Sequence, residues 1–252
     1  MENRGFNTFT RIPVVTKNLL IINALFWFAV LFMNKMDLQG MLGLHYPYLA
    51  SKEFRLYQLV TYMFMHASFA HLFFNMFAVY MFGRIIEFEW GPKRFFTYYM
   101  ITGIGAGLIN LLVAYLRIKS IESNLDAETI AMVYRDGLDI IRQEKQFVDP
   151  MLRQLNVLIN SNTVGASGAV FGILLAFGMM FPNMPLYIIP IPFPVKAKYL
   201  VTGYGVLELF AGIANFSFDN VAHFAHLGGM LFGLIMVLYW KKKDSANDRL
   251  IF

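Results

Sequence analysis

The amino-acid sequence predicts an all-α protein that crosses a membrane several times. Three observations lead there. First, 58% of the 252 residues are hydrophobic and only 15% are charged, whereas a soluble globular chain is about half apolar and about a quarter charged. The mean hydropathy of +0.53 agrees. Second, six apolar stretches approach the roughly 20 residues that a helix needs to cross a bilayer; they run over 18–36, 66–86, 95–116, 163–181, 199–217 and 221–240. Third, basic residues gather at alternate ends of these stretches. Such a chain is not disordered, not a coiled coil and not a free cytosolic enzyme. With no cysteine, it has no disulfide framework, thiolate nucleophile or Cys-based metal site, and the redox compartment stays open.

The first stretch is followed by Asn34, Lys35, Met36 and Asp37, with no small-residue cleavage site. It therefore reads as a retained span and not as a removed signal peptide. Arg4, Arg11 and Lys17 precede it. Arg84, Lys93 and Arg94 lie between the second and third spans, Lys196 and Lys198 between the fourth and fifth, and Lys241, Lys242 and Lys243 after the sixth. The short link 215–220 carries no basic residue. By the positive-inside rule both termini are cytoplasmic, and Trp90, Tyr98, Tyr99, Tyr239 and Trp240 suit interfacial helix ends. The net charge of +5 is thus spent on topology, and nucleic acid is not an expected partner.

Between spans three and four lies a polar insertion, 117–162, rich in both signs of charge. Ile130, Val133, Tyr134, Leu138 and Ile141 recur at helical spacing and predict an amphipathic helix. With the termini inside, the insertion falls on the outer face, resting on the headgroups or on the bundle rim. A substrate gate or a partner surface is the alternative. Repeated prolines from Pro182 to Pro194 predict a cytoplasmic loop. No internal repeat is visible, and residues 1–252 form one membrane domain.

Polar side chains inside spans are expensive in lipid and usually face the bundle interior or a water-filled cavity. Three sets stand out. His71 and Asn75 in span two are four apart and share a helix face. Gly165, Ser167, Gly168 and Gly172 open span four. His223, His226, Gly229 and Gly233 open span six. All three spans start outside, so these sets lie at similar shallow depth. Glycines on spans four and six allow close helix approach, which can bring Ser167 within hydrogen-bond reach of His226. A serine hydroxyl is a weak nucleophile until a neighbouring base takes its proton. An oxyanion would then need donors, which His71, Asn75 and the backbone N–H groups near Ser167 can supply. No buried Asp offers itself as a third member, so a Ser-His dyad is expected. No carboxylate or thiolate lies at ligand spacing beside His223 and His226, so no metal site and no cofactor are expected.

These residues carry a resemblance. HxxxN at His71–Asn75, GxSG at Gly165–Gly168 and AHxxGxxxG at Ala225–Gly233 resemble the core motifs of rhomboid intramembrane serine proteases, in order and on the matching spans. The resemblance covers about residues 18–116 and 163–240. It implies a six-helix rhomboid-like bundle with Ser167 as nucleophile, His226 as general base and acid, and His71 and Asn75 as oxyanion stabilisers. Phe171 would pack on the catalytic imidazole. Gly165, Gly168, Gly229 and Gly233 would support the site. Gly83 and Glu87 resemble the family's structural end of span two. His226 is preferred over His223 because only His226 has glycines at the third and seventh following positions; His223, one turn nearer the surface, is structural or water-contacting. The sequence departs from the family at Tyr57-Gln58, where many members carry Trp-Arg, and in the length of the 117–162 insertion.

Taken singly, each set has an ordinary explanation: Ser167 as a small residue at a helix crossing, His71 with Asn75 as an interhelical pair, His226 as a satisfied bundle histidine. None explains a shared depth. A transporter would more typically place midplane sites on paired broken helices, and a binding-and-routing relative would be free to lose Ser167 or His226. The expected activity is cleavage of single-pass membrane proteins near the outer boundary, at helix-destabilised segments with a small residue before the scissile bond. The expected partners are transmembrane protein substrates and membrane lipid, and the expected location is a bacterial inner membrane.

Overall fold

The computed structural model describes residues 12–33, 35–48, 53–187, 192–214 and 222–248. Arg4, Arg11, Asn34, Pro190, the link 215–220 and Val221 lie outside these ranges. The helices are α1 (Val14–Phe32), α2 (Leu38–Leu42), α3 (Gln58–Thr61), α4 (Phe69–Ala78), α5 (Arg84–Trp90), α6 (Pro92–Glu122), α7 (Ala127–Arg142), α8 (Pro150–Asn160), α9 (Ser167–Met180), α10 (Ala197–Ala214) and α11 (His223–Asp248). A π-helical turn, Val79–Gly83, joins α4 to α5. The proline-rich loop adds a two-residue ribbon, β1 (Pro185–Leu186) against β2 (Val195–Lys196). The architecture is an all-α polytopic membrane fold.

Helices overlap every stretch expected to span. Among the described residues, four are long and apolar enough to cross a membrane: Val14–Phe32, Phe69–Trp90, Pro92–Glu122 and His223–Ser245. α9 is apolar but has only 14 residues, about 21 Å at 1.5 Å per residue. It can be short because other helices surround it. Gly168, Ala169, Val170, Gly172, Ile173, Ala176, Phe177 and Gly178 are all buried, with α6, α10 and α11 packed against it. Large apolar side chains such as Leu25, Phe74, Leu112 and Phe210 point outward from the surrounding helices, as a lipid-facing surface requires.

Lipid offers no hydrogen bonds, so exposed helix ends must be satisfied by protein. Glu87, buried in α5, does this for α1. Its carboxylate accepts from the Val15 and Thr16 N–H groups at 2.9 and 2.7 Å, and from the Thr16 hydroxyl at 2.8 Å. Gly91 turns the chain between α5 and α6 at φ +78°, a conformation that suits glycine, and Pro92 opens α6 where its missing N–H costs nothing.

The loop between α1 and α4 is organised by Gln58. This buried amide accepts from the Arg55 and His45 N–H groups at 3.1 and 3.3 Å and donates to the Glu53 and Met41 carbonyls at 2.8 and 3.1 Å. Tyr57 donates to Met41 O as well, at 3.3 Å. Tyr57-Gln58 therefore anchors the loop by a hydrogen-bond hub of its own. The loop in turn reaches the segment before α9, where Leu44 and Thr163 exchange backbone bonds at 2.9 and 2.8 Å.

The insertion differs from a lone surface helix. α6 continues through Glu122, and α7 and α8 fold back onto that extension. Ile118 and Ile121 join Val133, Leu155 and Ile159 in a small core of their own. Val133 of α7 is thus buried against protein, with Tyr134 packed beside it, while Ile130, Leu138 and Ile141 stay half-buried outside that core. Asp126 caps α7 by accepting from the Thr129 N–H at 2.9 Å, a bond that holds its carboxyl below the usual range. Burial, followed by the bond to Glu122, pushes the Tyr134 phenol up.

Candidate active site

Ser167 is the first residue of α9, and its position is fixed by the turn before it. Gly165 sits at φ +130°, a backbone conformation that L side chains rarely adopt, and its N–H donates to Tyr62 O at 2.9 Å. A Cβ there would also strike the His71 ring, at 2.7 Å from Cε1 and 2.8 Å from Nε2. Gly165 therefore serves two purposes. It turns the chain into α9 and leaves room for His71 beside the serine.

α9 and α11 approach at glycines. A Cβ on Gly229 would collide with the Gly168 carbonyl, one on Gly168 with Ala106, and one on Gly233 with the Tyr98 hydroxyl. Tyr98 itself donates to Gly172 O at 2.7 Å. This close packing brings His226 to Ser167, with Nε2 2.8 Å from Oγ. Phe171, one turn along α9, stacks on the His226 ring at 4.2 Å between centroids and 7° between planes. His226 is buried and Ser167 half-buried, so the pair is held by packing while the hydroxyl stays reachable.

His71 lies in the first turn of α4, which Ser68 caps by accepting its N–H at 3.1 Å. Asn75 follows one turn later, buried, with Nδ2 donating to His71 O at 3.0 Å. One of its two N–H bonds is thereby committed to its own helix. The first-turn N–H groups of α9, which has no side-chain cap, add further donors next to Ser167. Ser167, His226 and His71 all stand at helix N-termini, brought to one end of the bundle. His66 packs edge-on to His71 at 5.0 Å, and His45 contacts Gly40 O at 2.7 Å; neither touches Ser167.

One residue corrects the expectation from sequence. A carboxylate does stand beside the histidines: Glu208, from the middle of α10. Its Oε2 is 2.7 Å from Nδ1 of His223 in a hydrogen bond and 2.9 Å from Nδ1 of His226. The second approach is short but lacks hydrogen-bond alignment. Neighbours in sequence could not reveal this group, because it comes from another helix. The available signal was an acidic residue inside an apolar stretch, which is costly without a partner. Glu208, His223 and His226 offer three ligand-type atoms within 4.8 Å of one another, and among the described residues they are the group able to hold a metal ion.

The sequence matches the Rhomboid domain over residues 53–243. It is 28% identical over 203 residues to Rhomboid-like protein 11, chloroplastic, of Arabidopsis thaliana, covering 76% of this chain and 55% of that protein. Against Rhomboid protein 1, mitochondrial, of Saccharomyces cerevisiae it is 26% identical over 181 residues, 71% of this chain and 40% of the relative. Against Rhomboid protease AarA of Providencia stuartii it is 29% identical over 182 residues, 70% and 53%. The chain spans about half the length of the curated relatives it matches. The domain match takes in Ser167, His226, His71 and Asn75 together, and the chain belongs to the rhomboid family.

Proposed function

We propose that this protein is an intramembrane serine endopeptidase that uses Ser167 and His226 to cleave single-pass membrane proteins. The observation that carries the reading is the 2.8 Å contact between Ser167 Oγ and His226 Nε2 under the stacked Phe171 ring. In this mechanism Oγ attacks the scissile carbonyl carbon while its proton passes to Nε2. The tetrahedral oxyanion meets the N–H groups opening α9, with His71 and the remaining Asn75 N–H as side-chain donors. His226 returns its proton to the leaving amine, leaving an acyl-enzyme on Ser167. Water, activated by the same imidazole, then releases the acid. The relative named as a protease, AarA, supports the same chemistry.

The bundle in this reading has six spans, with α9 and α10 completing the four longer ones. The basic residues flanking the spans put both termini in the cytoplasm, so the site opens toward the outer boundary of a bacterial inner membrane. A substrate helix hides its carbonyls in intrahelical hydrogen bonds, so cleavage favours spans weakened by Gly or Pro.

The test uses purified protein in proteoliposomes with a generic single-span substrate, comparing wild type with Ser167→Ala and labelling each with a fluorophosphonate probe. Cleavage and labelling by wild type alone support the protease. Absence of both from folded wild type, across several substrates, would favour a relative that binds and routes membrane proteins without cutting them.

A further inference from the structure

Glu208 is an acidic side chain in the middle of a span helix, and it faces inward. Its neighbours Val206, Leu207 and Phe210 are 60–64% exposed, whereas its own side chain is 14% exposed. A carboxylate so placed is expensive unless it is paired. Its partners are two imidazoles, at 2.7 and 2.9 Å. We propose that Glu208 is a positioning residue for His226, an anionic third member behind the Ser167–His226 pair, with His223 holding the carboxylate in place. The proposal rests on the protease reading and adds a member to its machinery.

The proton inventory explains the arrangement. An ionised carboxylate only accepts hydrogen bonds, so the bond to His223 places a proton on His223 Nδ1. That bond is aligned, and it fixes Oε2 at the edge of the second ring. For Nε2 of His226 to take the Ser167 proton, Nδ1 of His226 must already carry one. An adjacent carboxylate favours that tautomer. When the Oγ–H bond breaks and Nε2 gains the proton, the ring becomes an imidazolium 2.9 Å from Oε2. The attraction is then strongest while the transition state forms, which is the condition for raising turnover. Glu208 keeps its charge throughout and takes no proton. Among the described residues, the titratable groups facing His226 are Glu208 from α10, His223 from its own helix and His71 from α4; of these only Glu208 is anionic.

The test compares wild type with Glu208→Gln and Glu208→Ala. Protein carrying 15N-labelled histidine gives the His226 tautomer by NMR in micelles, and cleavage kinetics give kcat and KM separately. Both variants should lower kcat by about 10- to 100-fold with KM little changed, short of the roughly 10⁴-fold loss known for a fully aligned triad acid. In Glu208→Ala the neutral His226 ring should lose its preference for the tautomer protonated at Nδ1. A purely structural Glu208 would leave that tautomer in place, and that result overturns the proposal even if activity falls. A tautomer change on mutation in a protein whose wild type never cleaves would keep the pairing and reject the protease reading. Cleavage with the tautomer unchanged by mutation would keep the protease reading and reject the role of Glu208.

Discussion

The Ser167–His226 contact depends on how closely α9 and α11 approach, and Gly229→Ala tests that dependence directly. A Cβ at position 229 would lie 2.7 Å from the Gly168 carbonyl carbon and nearer still to its oxygen. Carbon contacts become ordinary at about 3.4 Å, so the carbonyl carbon alone requires the two helices to part by roughly 0.7 Å, and the nearer oxygen requires more. The 2.8 Å separation of Oγ and Nε2 would then open toward about 3.5 Å, beyond hydrogen-bond range. Misplacement of about 1 Å in a reacting pair costs on the order of 10²-fold, so kcat should fall by about 10- to 100-fold. Overpacking of this kind also destabilises by about 1–3 kcal/mol, so the melting temperature is measured alongside. The assay is substrate cleavage in proteoliposomes, normalised to the fraction of molecules labelled by a fluorophosphonate probe. Gly203→Ala in α10 is the matched control, because a Cβ there meets nothing within 4 Å. It should leave kcat unchanged. Wild-type turnover in Gly229→Ala, with Gly203→Ala also unaffected, would refute the claim that glycine-mediated approach sets the site.

The remaining predictions concern single residues and the metal question. His226→Ala should abolish cleavage, whereas His223→Ala should cost about tenfold at most, through a loosened Glu208; equal losses would mean the wrong base has been assigned. Asn75→Ala should slow turnover by no more than about 10²–10³-fold, the usual worth of one oxyanion donor, read as kcat on the same substrate. Glu87→Ala strands two backbone N–H groups and a hydroxyl at the start of α1, so unfolding in mixed micelles should show a loss of about 3 kcal/mol or more at 1–3 kcal/mol per stranded group. EDTA should leave the rate unchanged, since a serine–histidine mechanism calls for no metal; inactivation reversed by added Zn²⁺ would instead assign a resident ion to Glu208, His223 and His226.

What could be read from the sequence was whatever a single helix carries within itself. His71 with Asn75, Gly165 through Gly168, and His226 with Gly229 and Gly233 are each local patterns, and a common depth for them is an expectation drawn from counting spans and charges. The stacked Phe171 came with the family resemblance and a one-turn spacing. The groups that went unread belong to pairings between segments far apart in the chain. Glu208 reaches His226 from another helix, and its meaning appears only once α10 is packed on α11. Gln58 replaces an expected Trp-Arg with a hub whose partners run from Met41 to Arg55, a geometry that no spacing rule encodes. The extension of α6 was hidden for a different reason. Arg117, Lys119 and Glu122 end the apolar stretch, yet a helix need not end where it leaves the lipid, provided its apolar residues find protein. Ile118 and Ile121 find it in α7 and α8. A hydropathy pattern marks where a helix can be in lipid, and packing decides where it stops.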